Sequence, residues 1–227
     1  MTRTVSLYLV PTPVGNLEDI TLRALRILKE VNFILSEDTR TTGNLLRHYG
    51  IETRLVSHHA FNEHQAVAGV VDRLKGGGTA ALVSDAGTPG ISDPGFLLVR
   101  ECIRSGLEVE TLPGPTALIP ALVNSGLPCE SFYFAGFLPH KKGRQTMLKE
   151  LASIHKTLVL YESPFRLVRT LEQLAETLGP SLNASVSREL SKVHEENARG
   201  TLEELIRYFQ SKPVKGEIVI VVDHTGS

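Results

Sequence analysis

The residues best suited to chemistry in this chain fall directly after short apolar runs. Ser84-Asp85-Ala86-Gly87-Thr88-Pro89-Gly90-Ile91-Ser92-Asp93-Pro94-Gly95 follows one such run. Its glycines let a ligand approach the main chain closely, and Asp85 and Asp93 can accept hydrogen bonds from hydroxyl or ammonium groups. Both aspartates also suit turns, and Asp93 before Pro94 has the form of a helix N-cap with proline at N1. Pro113-Gly114-Pro115-Thr116-Ala117 precedes an apolar helix, so Thr116 is placed either to bind a ligand or to cap that helix. Pro11-Thr12-Pro13-Val14-Gly15-Asn16 supplies a stiff apolar wall with few N–H donors. Tyr161-Glu162-Ser163-Pro164 puts a carboxylate at a strand end, an unusual place that favours a functional role.

A repeating frame must position these groups. Apolar runs rich in β-formers predict strands over 5–10, 33–35, 53–56, 79–83 and 107–112. Helical spacing predicts helices starting after Thr21, stopping at Gly50, and covering 63–74 and 96–104. Prolines then cluster at Pro113, Pro115, Pro120, Pro128 and Pro139, where the passage between domains is expected. A second set follows, with strands over 132–135, 157–161, 184–187 and 217–222 and helices over 144–154, 165–178 and 202–209. Alternating strands and helices imply α/β domains, 1–113 and 114–227, with mostly parallel sheets. In open parallel sheets, ligands bind beyond the carboxyl ends of the strands, where the four segments lie.

Composition narrows the function classes. The net charge of -1 provides no general attraction for nucleic acid, so an RNA partner needs a local basic patch. His140-Lys141-Lys142-Gly143-Arg144 is such a patch, with Phe137 nearby to stack on a base; a solvated helix start is the plainer alternative. Cys102 and Cys129 make no disulfide framework, and no metal-ligand spacing occurs, so no metal is expected. Neither GxGxxG nor GxxxxGK is present, which removes the main support for dinucleotide or NTP binding. Pro11 and Pro13 interrupt the first apolar run, and none approaches the roughly 18 residues of a membrane span. A cytoplasmic location without membrane contact is expected.

Seven stretches, in order and nearly end to end, carry a resemblance. They are LYLVPTPVGNLEDITLRAL (7–25), SEDTRTTGNLL (36–46), SDAGTPGISDPG (84–95), LPGPTALIPALVNSGLP (112–128), FAGFLPHKKGR (134–144), YESPFR (161–166) and SRELSKVHEE (187–196). Together they resemble the tetrapyrrole methylase superfamily, the class III S-adenosylmethionine-dependent methyltransferases. Within it they are similar to the bacterial branch that 2′-O-methylates a decoding-region cytidine of small-subunit ribosomal RNA. The resemblance implies two α/β domains of the tetrapyrrole methylase type with a cofactor cleft between them, a homodimer, and a substrate within the 30S-type particle. It implies S-adenosylmethionine contacts at Val14, Thr88, Ile91, Thr116, Ala117, Tyr161, Ser187 and Glu217. The superfamily's Gly-Asp-Pro-like loop reads Gly87-Thr88-Pro89 here, which leaves Asp85 to supply the carboxylate. Many members continue past the last strand with a small helical region, whereas this sequence ends at Ser227, a difference that bears on RNA affinity.

A ribose hydroxyl is a weak nucleophile, so methyl transfer to it calls for in-line approach and a general base or a nearby cation. Glu189, flanked by Arg188 and Lys192, is the preferred base, with Glu162 and Glu63 next and Glu37 and Asp38 as further acids. His58 and His59 read as a solvated loop pair. Lys141, Lys142, Arg144 and Arg40 are the expected RNA contacts. Two other functions fit the motifs: a small-molecule, tetrapyrrole-like methyltransferase, and a non-catalytic S-adenosylmethionine-binding ribosome assembly factor. The identity of the methyl acceptor separates the first, and transfer itself separates the second.

Overall fold

The computed structural model describes residues 4–58 and 63–226, with the backbone alone for 63–66. His59 and the side chain of Glu63 therefore lie outside the described residues. The chain divides into two compact units, Met1–Thr116 and Ala117–Ser227.

The first unit carries strands β1 (Leu7–Leu9), β2 (Phe33–Ser36), β3 (Leu55–Ser57), β4 (Ala80–Val83) and β5 (Val109–Thr111). Its helices are α1 (Leu22–Glu30), α2 (Thr39–His48), α3 (Glu63–Lys75) and α4 (Phe96–Arg104). The sheet order is β3-β2-β4-β1-β5, and every pairing is parallel. β2 and β4 are buried at every position, because helices cover both faces and leave no solvent side to alternate toward. Leu7, Leu9, Phe33, Leu35 and Leu82 pack against α3 and α4 through Val71, Leu74, Leu98 and Cys102. Val10, Ile34, Ala81 and Val83 pack on the opposite face against Ala24, Ile27 and Leu28 of α1 and Leu46 of α2.

That division of faces places the site. β1 and β4 are neighbours, yet the chain leaves β1 toward α1 on one face and β4 toward α4 on the other. The chains that follow β1 and β4 therefore depart to opposite faces, the arrangement of a topological switch point, where open α/β sheets bind ligands.

Thr21 caps α1 as expected, its hydroxyl accepting from Ala24 N at 3.0 Å. The start of α4 differs from expectation. Its N-cap is Gly95, with no side-chain cap, so Pro94 lies outside the helix and Asp93 does not cap it. Gly95 is required for two reasons: its φ of 135°, and Leu82 Cδ2 at 2.7 Å from where a Cβ would stand.

The second unit carries β6 (Phe132–Phe137), β7 (Thr157–Glu162), β8 (Asn183–Arg188), β9 (Glu196–Thr201) and β10 (Ile218–Val222). Its helices are α5 (Leu118–Ser125), α6 (Arg144–Ala152), α7 (Leu167–Leu178) and α8 (Leu202–Gln210). The order is β6-β7-β10-β8-β9, and only β6 and β7 are parallel. The expectation of mostly parallel sheets thus fails here, because β9 returns as a hairpin beside β8 and β10 inserts antiparallel between β7 and β8. Leu158, Leu160, Val186, Ile218 and Ile220 face α6, α7 and α8, while Val159, Val219 and Val221 face Ala121 and Leu122 of α5. α5 is capped at Ala117 without a side-chain bond, so the Thr116 hydroxyl is no helix cap.

Gly95→Ala is expected to lower stability by about 2 kcal/mol, combining a disfavoured φ with overpacking against Leu82. The check is a lower urea midpoint with an unchanged m-value.

Candidate functional site

The first unit draws three of the four chemistry-bearing segments together. Thr12 N donates to Gly87 O at 2.9 Å and Gly87 N donates to Thr12 O at 2.8 Å, an isolated bridge joining the loops after β1 and β4. The Thr12 hydroxyl donates to Ser84 O at 3.0 Å, and the Ser84 hydroxyl donates to Gly87 O at 3.1 Å. The Thr88 hydroxyl donates to Pro115 O at 3.2 Å and ties in the segment after β5. At Gly114 a Cβ would stand 2.8 Å from Pro11 Cβ, so only glycine lets those two loops touch. At Gly87 a Cβ would project among Pro115 O, Thr116 Cα and Val14 Cγ2, at 3.8 to 4.0 Å. Val14 and Thr116 thus lie beside Gly87, next to Thr88, and Ile91 lies 43% exposed further along the same loop.

The acids of this unit sit at adjacent strand ends. Asp85, exposed after β4, accepts from Asp38 N at 3.3 Å. Asp38 caps α2 by accepting from Arg40 N at 2.8 Å, and the Arg40 side chain returns to it at 3.0 and 3.2 Å. The hydrogen bonds from Arg40 hold the Asp38 carboxyl at about 2. Asp38 is therefore no base near neutrality, while Arg40 remains 89% exposed and already oriented. Ser36 accepts from the Thr42 hydroxyl at 2.9 Å inside the core, and His58 N donates to Ser36 O at 2.8 Å. His58 is 1% exposed, so the expectation of a solvated histidine is corrected: β2 draws it in at the edge strand's end.

In the second unit the preferred catalytic acids prove to be committed. Glu189 accepts from Lys192 Nζ at 2.9 Å and from Glu217 N at 3.0 Å, and Lys192 also reaches Glu217 Oε2 at 3.0 Å. The Lys192 hydrogen bond lowers the Glu189 pKa against the opposing effect of burial. A base for a ribose hydroxyl needs the opposite shift, so the geometry makes Glu189 a clamp between the β8 end and β10, not a base. Arg188 is paired with Glu196 at 2.9 Å, and Lys192 with its two carboxylates, so neither cation is left unpaired. Glu162 is 2% exposed and accepts from Ser163 N, the Thr170 hydroxyl and Arg166, so it too is withdrawn as an acid that meets substrate.

Two further expectations change. Arg144 is 4% exposed and bonded to Gln173, Thr170 and Pro139 O, so it cannot reach RNA; Lys141 and Lys142 are exposed. Ser187 is buried with its hydroxyl on Asn197 at 2.7 Å, and it presents no surface to a ligand. Tyr161 is half-buried between Phe134 and Phe137, ring centroids at 5.0 and 5.6 Å. Ala117 is half-buried at the start of α5, and Glu217 is exposed apart from its tie to Lys192. The residues missed from sequence are Gln173 and Thr170. Neither stands in a motif, and only the fold of α7 brings both to Arg144 and Thr170 to Glu162.

The sequence profile of the tetrapyrrole (corrin/porphyrin) methylases matches residues 6–206. Ribosomal RNA small subunit methyltransferase I of Halalkalibacterium halodurans is 49% identical over 222 residues, covering 97% of this chain and 76% of that protein. The protein of the same name from Thermotoga maritima is 46% identical over 216 residues, covering 95% and 97%. Among solved structures, uroporphyrin-III-C-methyltransferase from Thermus thermophilus aligns at a TM-score of 0.69 with 22% identity, covering 98% of this chain and 96% of that one. Diphthine synthase aligns at 0.74 with 15% identity, covering 96% and 90%; at such identities both speak for the fold alone. With a profile spanning most of its length and relatives nearly half identical across it, the chain belongs to the tetrapyrrole (corrin/porphyrin) methylases.

Proposed function

We propose that this protein transfers a methyl group from S-adenosylmethionine to a cytidine ribose 2′-hydroxyl in the decoding region of small-subunit ribosomal RNA. It acts in the cytoplasm, as a homodimer, on the assembled 30S-type particle. The observation that carries this is the end-to-end similarity, over 95–97% of the chain, to proteins named as small-subunit ribosomal RNA methyltransferases. Among the described residues no helix is long and apolar enough to cross a membrane, consistent with that setting.

The first unit's loops fit the cofactor better than they fit a nucleotide. The Thr12 and Gly87 N–H groups each donate to the other residue's carbonyl, so they are not available to cradle phosphates. What remains is an apolar wall at Val14 and Ile91, the side-chain-free main chain at Gly87, and the carboxylate of Asp85. Such a set suits an uncharged purine and sugar, with Asp85 for a hydroxyl or ammonium group. Thr116 would hold the cofactor from the segment after β5. Bound there, S-adenosylmethionine supplies an electrophilic methyl group on sulfur. Arg40, held by Asp38, and Lys141 and Lys142 meet phosphates. Of Glu37, Asp38, Glu162 and Glu189, Glu37, half-buried after β2, is left to accept the hydroxyl proton.

With S-adenosylmethionine and isolated 30S-type particles, one cytidine should become resistant to alkaline cleavage, which needs a free 2′-hydroxyl. A methyl on a base, a protein or a tetrapyrrole would overturn the acceptor. Cofactor binding without transfer would favour the assembly factor.

Thr116→Arg should weaken cofactor affinity by at least about 100-fold in isothermal titration, because a bulky buried charge displaces the ligand.

Glu189→Gln should keep kcat within about threefold and cost about 1 kcal/mol of stability at pH 7. The Glu189 pKa in the fold lies below its usual 4.5, so its contribution is complete above that value and fades as pH falls through the lowered pKa. Urea titrations of both proteins should therefore converge in acid.

A further inference from the structure

Between β6 and α6 the chain passes through Leu138-Pro139-His140-Lys141-Lys142-Gly143, buried at Leu138 and exposed from His140 to Gly143. Two main-chain carbonyls at the root of this loop are held by arginines, one from the first residue of α6 and one from the chain before α7. Arg166 donates to Leu138 O at 3.2 Å, and Arg144 donates to Pro139 O at 3.2 Å. The same two guanidinium groups flank one carboxylate. Arg166 lies 2.7 Å from Glu162 Oε1. Arg144 is 3.9 Å from Oε2 and joined to it through Thr170, whose hydroxyl accepts from Arg144 and donates to Glu162, each at 2.6 Å. The Glu162 side chain is fully buried, and those of Arg144 and Arg166 are 4% and 18% exposed.

Stability alone does not explain such a cluster. Desolvating ionised groups is costly, and apolar residues of similar volume often do as well. Here two positive groups face one negative group, and burial disfavours the charged form of Arg144, an effect that Glu162 opposes. What an apolar pair could not do is grip two carbonyls of the neighbouring loop. Without the Glu162 charge, two adjacent guanidinium groups would repel each other across the space it now fills. Their hold on Leu138 and Pro139 would loosen with them.

We propose that Glu162 is a positioning residue for substrate RNA: through Arg144 and Arg166 it sets the shape of the 138–143 loop and so presents Lys141 and Lys142 to RNA phosphates. This rests on the reading of that loop as an RNA contact. A loop already shaped avoids the ordering cost that a flexible one meets on binding. Arg144, the most basic-looking end of the HKKGR motif, thus acts from inside on the two lysines that act outside.

The test is a mutant cycle read as KM for 30S-type particles, kcat and cofactor affinity. Lys141→Ala with Lys142→Ala should raise KM about tenfold and flatten its salt dependence. Glu162→Gln should raise KM by a similar factor while kcat and cofactor affinity stay within about twofold. Combining all three changes should add no more than about twofold to the lysine pair alone, because Glu162 works through those lysines. Independent multiplication of the two effects, or a joint fall in kcat and cofactor affinity, would make the cluster structural support and overturn the proposal. Arg166→Lys carries the same test if Glu162→Gln does not fold, since one ammonium cannot reproduce the forked hold on carbonyl and carboxylate. If the lysine pair raises KM but Glu162→Gln and Arg166→Lys do not, the inference alone fails. If the lysine pair leaves KM unchanged, the RNA reading of the loop fails and takes the inference with it.

Discussion

Thr12 and Gly87 each donate an amide to the other's carbonyl across the gap between the loops that follow β1 and β4. Two parallel neighbours whose chains depart to opposite faces would otherwise leave those loops diverging, with main-chain groups unpaired at the edge of the core. The bridge closes that gap and fixes where everything beside it lies. Ser84 bonds into it, Gly114 fits against Pro11 next to it, and Thr88 fastens Pro115 from the far side. Val14 and Thr116 come beside Gly87 because three segments are drawn to one point. A substitution that disturbed the bridge would move the loops that carry Val14 and Thr88 before it altered the sheet.

The second unit uses charge in a different way. Glu162, Glu189, Glu196 and Glu217 stand at or beside strand ends, as reactive groups often do, yet each is tied down by cations or amides. Glu189 joins the end of β8 to β10 by way of Lys192 and the Glu217 amide. Glu196 on β9 is held by Lys212, Tyr208 and Arg188; burial alone would raise its carboxyl pKa, but these donors bring it to about 2. These are joints between elements of a mixed sheet, placed where main-chain pairing stops. A carboxylate after a strand is therefore a poor guide to catalysis until its partners are known.

Much of the architecture was legible in the sequence because its causes are local. Apolar runs, the Thr21 cap and the glycines at 50 and 106 operate within a few residues, and the helix over 96–104 appeared at its expected bounds. β9 was missed because Glu196–Thr201 shows no apolar alternation; it is an edge strand defined by its pairing with β8. Antiparallel insertion of β10 was equally hidden, since strand direction is set by long-range pairing. At the site, motif spacing marked the converging loops but could not reveal which charged groups were already paired. Arg144 is the sharpest case: within HKKGR it looks like a third surface cation, and only α7 shows that it points inward.

The order β3-β2-β4-β1-β5 also governs how the first unit can be made. β1 pairs only with β4 and β5, so it has no neighbour in the sheet while β2 and β3 are being synthesised. Local pairing is open to β2 with β3, but the apolar Leu7, Leu9 and Val10 must wait for residues beyond Ala80 to leave the ribosome. Closure of the sheet then depends on contacts distant in sequence, which form slowly and leave apolar strands exposed meanwhile. The β1–β4 switch point thus cannot form until β4 has been made, and the sheet is complete only when β5 adds beside β1.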